Sequence, residues 1–158
     1  LGGPSRAGLP WPLIHTIRED MPYYHHVGAE GFYTQLTENM FHRYGLNYYV
    51  AAKLAWNTRL DVDALLADYA DHAFGPAAEP MLAYFGRLEQ AMTGADCCLS
   101  YGLESPQRWG PRVFSREVLD EAAAFLTQAA AAAPAGPYRE RVAFLQKGFD
   151  EARAGTGR

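Results

Sequence analysis

Apolar residues recur at helical spacing along most of the 158-residue chain. Side chains three or four positions apart lie on the same face of a helix, so this spacing marks one buried stripe per segment. The first segment, "PLIHTIREDM", carries Leu13, Ile14, Ile17 and Met21 in this register. Because Pro22 has no backbone N–H to donate, the pattern predicts a helix that kinks or ends near Met21.

One short segment has a different pattern. Gly28 and Gly31 interrupt the helical spacing, and "GFYTQLT" (31–37) is short, aromatic and β-branched, which predicts a single strand. The amides of a strand need hydrogen-bonding partners. Either this strand pairs with a missing segment or with another chain, so that the polypeptide is the tail of a larger fold or half of an assembly, or the segment is not a strand in the chain by itself.

From Gly45 onward the pattern predicts one helix after another. Asp61 and Ser115 are typical N-cap residues, and Gly75 followed by Pro76 predicts the end of one helix and the start of the next. Residues 93–111 are rich in Gly, Ser, Pro and Cys and are predicted to form a loop. The sequence thus predicts a mainly α fold, a bundle of about five to six helices with at most one or two short strands.

Composition narrows the class of protein. The chain is 49% hydrophobic and 20% charged, which is typical of a globular domain, and its formal net charge of -4 does not favour nucleic acid. No apolar run approaches the roughly 20 residues that span a bilayer, so we expect no membrane partner. No signal peptide is visible, but the chain begins with Leu, so the sequence leaves its localisation open between the cytoplasm and secretion.

Motifs for metal or cofactor binding are weak. The histidines follow no H-E-x-x-H pattern, and no Cys or His pair has zinc spacing, so we expect no metal and no cofactor. Cys97 and Cys98 are adjacent, and neighbouring residues rarely close a disulfide without strain. They are predicted to be two thiols.

The segment "GLNYYVAAKLAWNTRLDVDALLADYADHAFGPAAEPMLAYFGRLEQAM" (45–92) carries a family pattern. It has a Tyr-rich helix, then Leu-x-Trp-Asn, Asp-x-Asp-x-Leu, Phe-Gly-x-Ala-Ala and Met-x-x-Tyr. This string resembles the family called domain of unknown function 4838. "LIHTIREDMPYYHHVGAEGFYTQ" upstream, and "VFSREVLDEAAAFLTQAAAAA" and "YRERVAFLQKGFDEAR" downstream, also resemble that family. Thr58 stands where a Pro often follows the Trp-Asn pair, which puts only a turn in doubt.

The resemblance implies a function by analogy. Members resemble glycoside hydrolases of the α-glucuronidase and β-hexosaminidase type, with a TIM-like barrel followed by a helical region. Residues 1–44 would then be the tail end of a barrel-like domain, and residues 45–158 a C-terminal helical domain. We expect a C-terminal fragment of a carbohydrate-active protein, inactive alone, whose partners are carbohydrate and either the missing N-terminal barrel segments or a homo-oligomer partner.

Glu38 is the candidate catalytic residue under this interpretation. Glycoside hydrolysis usually needs two carboxyl groups, and in barrels they lie at the C-terminal ends of strands. Glu38 directly follows the predicted strand, where Gln35 and Asn39 could bind sugar hydroxyls and Tyr33 could stack on a sugar ring. A solvated loop or helix-start glutamate is the commoner alternative for Glu38.

Trp56 and Asn57 are candidate sugar-binding residues between two predicted helices. An exposed Trp could stack on a sugar and Asn could bind hydroxyls, but more often such a Trp packs in the core while the Asn caps or turns the chain. We expect packing, which makes this stretch mainly scaffold.

A different class of function stays open. The chain could be a stand-alone helical bundle that mediates protein association, with its unpaired strand and apolar surface buried in an oligomer.

Overall fold

The computed structural model describes residues 9–34, 41–96 and 106–154, without the side chains of residues 41–42 and 106–109. These ranges contain no strand, so the predicted mainly α fold is confirmed for them. Their seven α-helices are α1 (Ile14–His26), α2 (Phe41–Trp56), α3 (Val62–Phe74), α4 (Ala78–Thr93), α5 (Pro106–Val113), α6 (Arg116–Ala132) and α7 (Pro137–Ala154).

Helix α4 lies at the centre of the packing. It packs most extensively against α6 and next against α3, while α6 and α3 also contact α7. Tyr84 and Leu88 of α4 are fully buried, as are Leu126 of α6 and Phe149 of α7. Burying each such side chain contributes about 1.5–3 kcal/mol, so this core supplies the main driving force for the bundle.

Helix starts follow the local chemistry of the sequence. The Asp61 carboxylate accepts hydrogen bonds from the backbone N–H groups of Asp63 at 2.8 Å and Ala64 at 3.4 Å, and so caps α3. The Ser115 hydroxyl oxygen accepts from the Val118 N–H at 3.3 Å at the start of α6. Both predicted N-caps are confirmed.

The junction between α3 and α4 is a tight turn. Gly75 has a φ of +55°, which disfavours other residues, and a Cβ built on it would lie 2.7 Å from the Tyr138 ring of α7. The predicted change of helix at Gly75 and Pro76 is confirmed, although Pro76 first enters a 3-10 turn (Gly75–Ala77) and α4 begins at Ala78. The missing Cβ therefore lets α7 approach the turn closely.

Helix α1 extends beyond the predicted end. Pro22 lies inside the helix, which continues to His26, so of the two predicted outcomes an end near Met21 is wrong and a kink stays a prediction. Pro22 removes one hydrogen bond, to the carbonyl of Arg18 four residues earlier. The helix therefore continues past Pro22 with one backbone hydrogen bond fewer.

The start of α1 is held by side chains from two other helices. Its N-cap residue, Leu13, has no side-chain oxygen, but its N–H donates to Asn47 Oδ1 at 3.0 Å. Asn47 Nδ2 also donates to the Trp11 carbonyl at 2.8 Å, and the His15 N–H donates to Glu89 Oε1 at 2.9 Å. Residues of α2 and α4 therefore supply the N-terminal hydrogen bonds that the local sequence lacks.

The predicted strand is not formed where the structure describes it. Gly31–Thr34 has no strand conformation, and residues 35–37 lie outside the described ranges. Gly31, Phe32 and Tyr33 are exposed, so their amides can be hydrated. The predicted strand is therefore absent over residues 31–34, and its pairing with a missing segment or with another chain stays a prediction.

Helix α5 corrects another expectation. Residues 106–113 are helical, although residues 93–111 were expected to form a loop. Val113 and Phe114 at the end of α5 are buried, and the Phe114 ring meets the Trp11 ring edge-on with centroids 6.1 Å apart. Tertiary packing thus anchors a helix that contains Gly110 and Pro111, both poor helix formers.

The predicted domain boundary between residues 44 and 45 falls inside α2. Helix α1 packs against α2, and Ile14 and Ile17 of α1 belong to the same buried cluster as Leu46. The assignment of residues 1–44 to a barrel-like domain stays a prediction.

Candidate functional site

A cleft of about 630 Å³ lies beside the C-terminal parts of α1 and α2. It opens to solvent next to the segment that follows α1. The described residues that line it are Met21, Tyr24, His25, Gly28, Ala29, Glu30, Gly31, Phe32, Ala55 and Thr58. Residues 28–32 after α1 and Ala55 and Thr58 at the end of α2 therefore contribute to one concave surface, whereas the candidates Tyr33, Trp56 and Asn57 do not line it.

The chain reversal after α1 forms one wall of this cleft. The Gly28 N–H donates to the His25 carbonyl at 3.1 Å and the Ala29 N–H to the Tyr24 carbonyl at 2.9 Å. With a φ of +91° at Gly28, this is the Schellman arrangement that commonly ends helices. It turns the chain back so that Glu30 and Phe32 line the same cleft as Tyr24.

Aromatic side chains at this end of the molecule are exposed. Tyr24 and Phe32, which line the cleft, are 48% and 49% exposed, and Tyr33 and Trp56 are 94% and 93% exposed. The expectation that Trp56 packs in the core is therefore wrong. Trp56 is the last residue of α2, where the inward face is already occupied by Leu54, which is buried.

Asn57 shapes the turn that follows α2. Its Oδ1 accepts a hydrogen bond from the Arg59 N–H at 3.1 Å, and its own N–H donates to the Lys53 carbonyl at 3.0 Å. The expected turn-forming role of Asn57 is confirmed. Its contact with sugar, like those of Trp56 and Tyr33, stays a prediction.

Three of the candidate residues, Gln35, Glu38 and Asn39, lie outside the described residues, and their roles stay predictions. The structure instead brings His25 and Glu30 to the cleft, to which sequence reasoning gave no role. The sequence signal that could have placed Glu30 at the cleft is the Val-Gly-Ala-Glu-Gly run that follows His25 and His26. A glycine at the end of a helix returns the next residues toward that helix, which brings Glu30 near the last turn.

The chemistry of the described lining is that of a binding site. The Glu30 carboxylate can accept hydrogen bonds from hydroxyl groups, His25 can donate or accept, and the rings of Tyr24 and Phe32 offer flat apolar faces. Glu30 is the one carboxylate among the described lining residues. Hydrolysis of a glycosidic bond usually needs two, so a second would have to come from elsewhere.

The described residues show neither a metal cluster nor a membrane-spanning helix. Among residues 9–34, 41–96 and 106–154, no three His, Cys, Asp or Glu side chains gather to form a metal site. No described helix has the length and apolar character needed to cross a membrane. Cys97 and Cys98 lie outside the described residues.

Comparison with known proteins matches part of the chain to a family. The model of a family described as "Domain of unknown function (DUF4838)" matches residues 5–87, which include every described residue that lines the cleft. No curated protein and no solved structure matches the chain. The resemblance of the downstream helices to the family lies beyond residue 87 and stays a prediction. Since the match covers more than half of the 158 residues, the chain belongs to the DUF4838 family, a domain of unknown function.

Proposed function

We propose that the chain is the C-terminal helical part of a carbohydrate-active protein similar to glycoside hydrolases, and that its aromatic cleft binds sugar. The observation that carries the proposal is the exposure of Tyr24 and Phe32 along an open cleft of about 630 Å³. Clefts of about 300–1,000 Å³ with aromatic lining and a few polar groups are typical of small-molecule sites.

The lining suits a sugar because a sugar has two kinds of surface. Its C–H groups form apolar patches that favour aromatic rings, and its hydroxyls need hydrogen-bonding partners. Tyr24 and Phe32 supply rings, and Glu30 and His25 supply polar groups in the same cleft. The resemblance to glycoside-hydrolase-like proteins is an independent reason to favour carbohydrate over another ligand.

Catalysis by the chain alone is not part of this proposal. Two carboxyl groups must flank the scissile bond, with separations of about 5–9.5 Å depending on mechanism. Glu30 lies in the cleft and Glu38 follows it closely in the sequence. We propose that the other groups needed for hydrolysis come from barrel segments of the full-length protein.

A binding titration tests the sugar site. Oligosaccharides built from glucose, xylose and N-acetylglucosamine are titrated into the protein, and backbone amide shifts are followed by NMR. We expect one class to bind, with residues 24–32 and 55–58 shifting. Tyr24→Ala and Phe32→Ala should each weaken binding by about tenfold, since losing one apolar aromatic contact to a ligand costs about 1.4 kcal/mol or more.

Phe144→Ala is the matched control, because Phe144 is a 53% exposed aromatic residue on α7 that does not line the cleft. If Phe144→Ala weakened sugar binding equally, the binding would be nonspecific contact with exposed aromatic residues and not binding in the cleft. Absence of binding by all three sugar classes at millimolar concentration would exclude a sugar site made by this chain alone.

The catalytic part of the proposal needs the full-length protein. Turnover of aryl glycosides is compared for the wild type, Glu38→Gln and Glu30→Gln. A carboxylate that acts as acid, base or nucleophile should reduce kcat by orders of magnitude when replaced by its amide. Undiminished turnover in Glu38→Gln would remove Glu38 from the catalytic set.

Protein association is the second candidate function. The observation that favours it is the cluster of exposed apolar side chains near the end of α1, where Tyr23 is 60% and Val27 is 58% exposed. Exposed apolar patches often mark interfaces. Sedimentation from micromolar to millimolar concentration tests it: a species that stays monomeric throughout counts against self-association through this surface.

A further inference from the structure

A second cleft, of about 590 Å³, lies between α2, α3 and α7. Its lining is more polar than that of the aromatic cleft, and no lining residue is shared between the two. The residues that line it are Tyr49, Lys53, Asp68, Tyr69, His72, Ala73 and Arg141. This set includes two permanent cations and one carboxylate, so its charge at neutral pH is positive.

The carboxylate of this cleft already has partners. The Tyr49 hydroxyl donates a hydrogen bond to Asp68 Oδ2, and His72 Nδ1 lies 3.4 Å from Asp68 Oδ1 and 2.8 Å from the Asp68 carbonyl oxygen. Hydrogen bonding to Asp68 raises the pKa of Tyr49 to about 12, and burial raises the pKa of Tyr69. Both phenols therefore stay neutral at pH 7 and add no negative charge.

Arg141 is held in place by the end of α3. Its Nη1 donates to the Ala73 carbonyl at 2.9 Å and lies 3.5 Å from the His72 carbonyl. In the part of the chain that the structure describes, its Nη2 and Nε make no hydrogen bond. The anchored guanidinium thus keeps donor groups for a ligand and loses less side-chain entropy on binding than a free arginine does.

Lys53 completes the pair of cations. Its Nζ lies 5.3 Å from the centroid of the Tyr49 ring, a cation–π contact that positions the ammonium group without neutralising it. Within the described ranges Lys53 has no carboxylate at ion-pair distance. The cleft therefore contains an oriented ammonium group and an oriented guanidinium, neither of which is paired with an anion.

We propose that this cleft binds the oxyanion of a small ligand, a phosphate, sulfate or carboxylate group, between Lys53 and Arg141. Arginine and lysine together are the usual protein donors to such groups. The chain as a whole has a net charge of -4, so its overall electrostatic field repels anions. Binding of an oxyanion would consequently report this local site and not the overall field.

Titration of the protein with inorganic phosphate, sulfate and acetate tests the proposal. Ionic strength is held low and constant with chloride, and backbone amide shifts are followed by NMR. We expect saturable chemical-shift changes near residues 53, 69 and 141. The anion that binds with the lowest Kd of the three identifies the kind of oxyanion. Lys53→Met and Arg141→Gln should each weaken that binding by about tenfold, since a charge-assisted hydrogen bond is lost.

Arg139→Gln is the matched control. Arg139 also donates to a helix-end carbonyl, that of Ala133, at 3.0 and 2.7 Å, but it does not line the cleft. If Arg141→Gln fails to fold, Arg141→Lys, which keeps the charge and loses the fork of donors, replaces it and should also bind more weakly. The proposal is overturned if the chemical-shift changes do not saturate, or if Arg139→Gln weakens anion binding as much as Arg141→Gln does. Neither outcome bears on the sugar site proposed for the aromatic cleft.

Discussion

Two groups of aromatic side chains have opposite environments in this protein. Phe74, Tyr84 and Phe149 are at most 2% exposed in the centre of the bundle, whereas Tyr33 and Trp56 are more than 90% exposed at the end of α1 and α2. The residue types are similar, and both groups occur in or next to helices. The comparison teaches that aromatic density alone does not distinguish a core from a surface site; the presence of a facing helix does.

The buried group is enclosed by helices on several sides. The Tyr84 ring of α4 meets the Phe149 ring of α7 edge-on at a centroid distance of 6.2 Å, and Phe74 of α3 lies 6.1 Å from Phe85 of α4. Such aromatic pairs add about 0.5–1.5 kcal/mol beyond the burial of their area. The rings therefore help to join three helices.

The exposed group lacks this enclosure in the described part of the chain. Ile14 and Ile17, in the first half of α1, are its buried residues, and the second half is exposed or only partly buried. The rings there are free to contact a ligand or a partner.

The largest effect is expected for truncating a buried ring. Phe149→Ala should lower the free energy of unfolding by about 3–5 kcal/mol, because it leaves a cavity between α4 and α7. Trp56→Ala removes a larger side chain but should change stability by less than about 0.5 kcal/mol, since the ring is exposed. Chemical denaturation measures both. A loss of several kcal/mol in Trp56→Ala would show that this ring has a packing partner in solution.

The next effect concerns two asparagines. Asn47→Ala should destabilise the protein by about 2–4 kcal/mol, because it leaves the Leu13 N–H and the Trp11 carbonyl without their partner in a buried position. Asn57→Ala, in the exposed turn after α2, should cost about 0.5–1 kcal/mol. Equal losses for the two variants, measured by urea denaturation, would contradict the assigned role of Asn47.

A smaller effect is expected at high pH. The pKa of Tyr49 is raised to about 12 from 10.0 by its hydrogen bond to Asp68, so an unfolded chain loses this proton at lower pH than the folded one. The resulting stabilisation is complete below pH 10 and is lost as the pH rises toward 12. We expect about 1 kcal/mol after allowance for solvent screening.

Tyr49→Phe should remove this part of the pH dependence. Unfolding free energies measured between pH 8 and pH 11 test it, with Tyr33→Phe as the control for losing a fully exposed phenol. If the wild type and Tyr49→Phe decline in parallel as the pH rises, the Tyr49–Asp68 hydrogen bond does not contribute to stability.

The smallest effect is expected at a buried hydroxyl. Tyr84 is fully buried, and its hydroxyl has no hydrogen-bond partner among the described residues, while burial raises its pKa strongly. Tyr84→Phe removes an unsatisfied polar group and should leave stability unchanged or raise it by up to about 1 kcal/mol. Tyr24→Phe, at the exposed cleft, should have no effect. A clear loss of stability in Tyr84→Phe would reveal a partner for the hydroxyl.

Local features were predictable because their causes lie within a few residues. The caps at Asp61 and Ser115 depend on a side chain that reaches an N–H two or three positions away. The helix change at Gly75 depends on one residue that tolerates a positive φ. Such features, together with the apolar stripes, were sufficient to predict a mainly α bundle.

Other features were predicted wrongly because distant residues decide them. Local rules indicated a kink or an end at Pro22 and a strand over 31–34, but the helix continues to His26 and residues 31–34 form no strand. They also placed Trp56 in the core, but the ring is 93% exposed, because burial depends on what packs opposite the end of α2.

The sequence by itself determined most of the helical segments, the N-caps of α3 and α6, and that the chain belongs among globular, weakly acidic domains. Only the tertiary structure decided which aromatic residues are buried and that Glu30 and Phe32 share a cleft with Tyr24. The tertiary structure likewise placed Lys53 and Arg141 in one cleft. The physical reason is range: capping and helical hydrogen bonds join neighbours in the chain, whereas burial and charge clustering depend on which distant helix packs opposite.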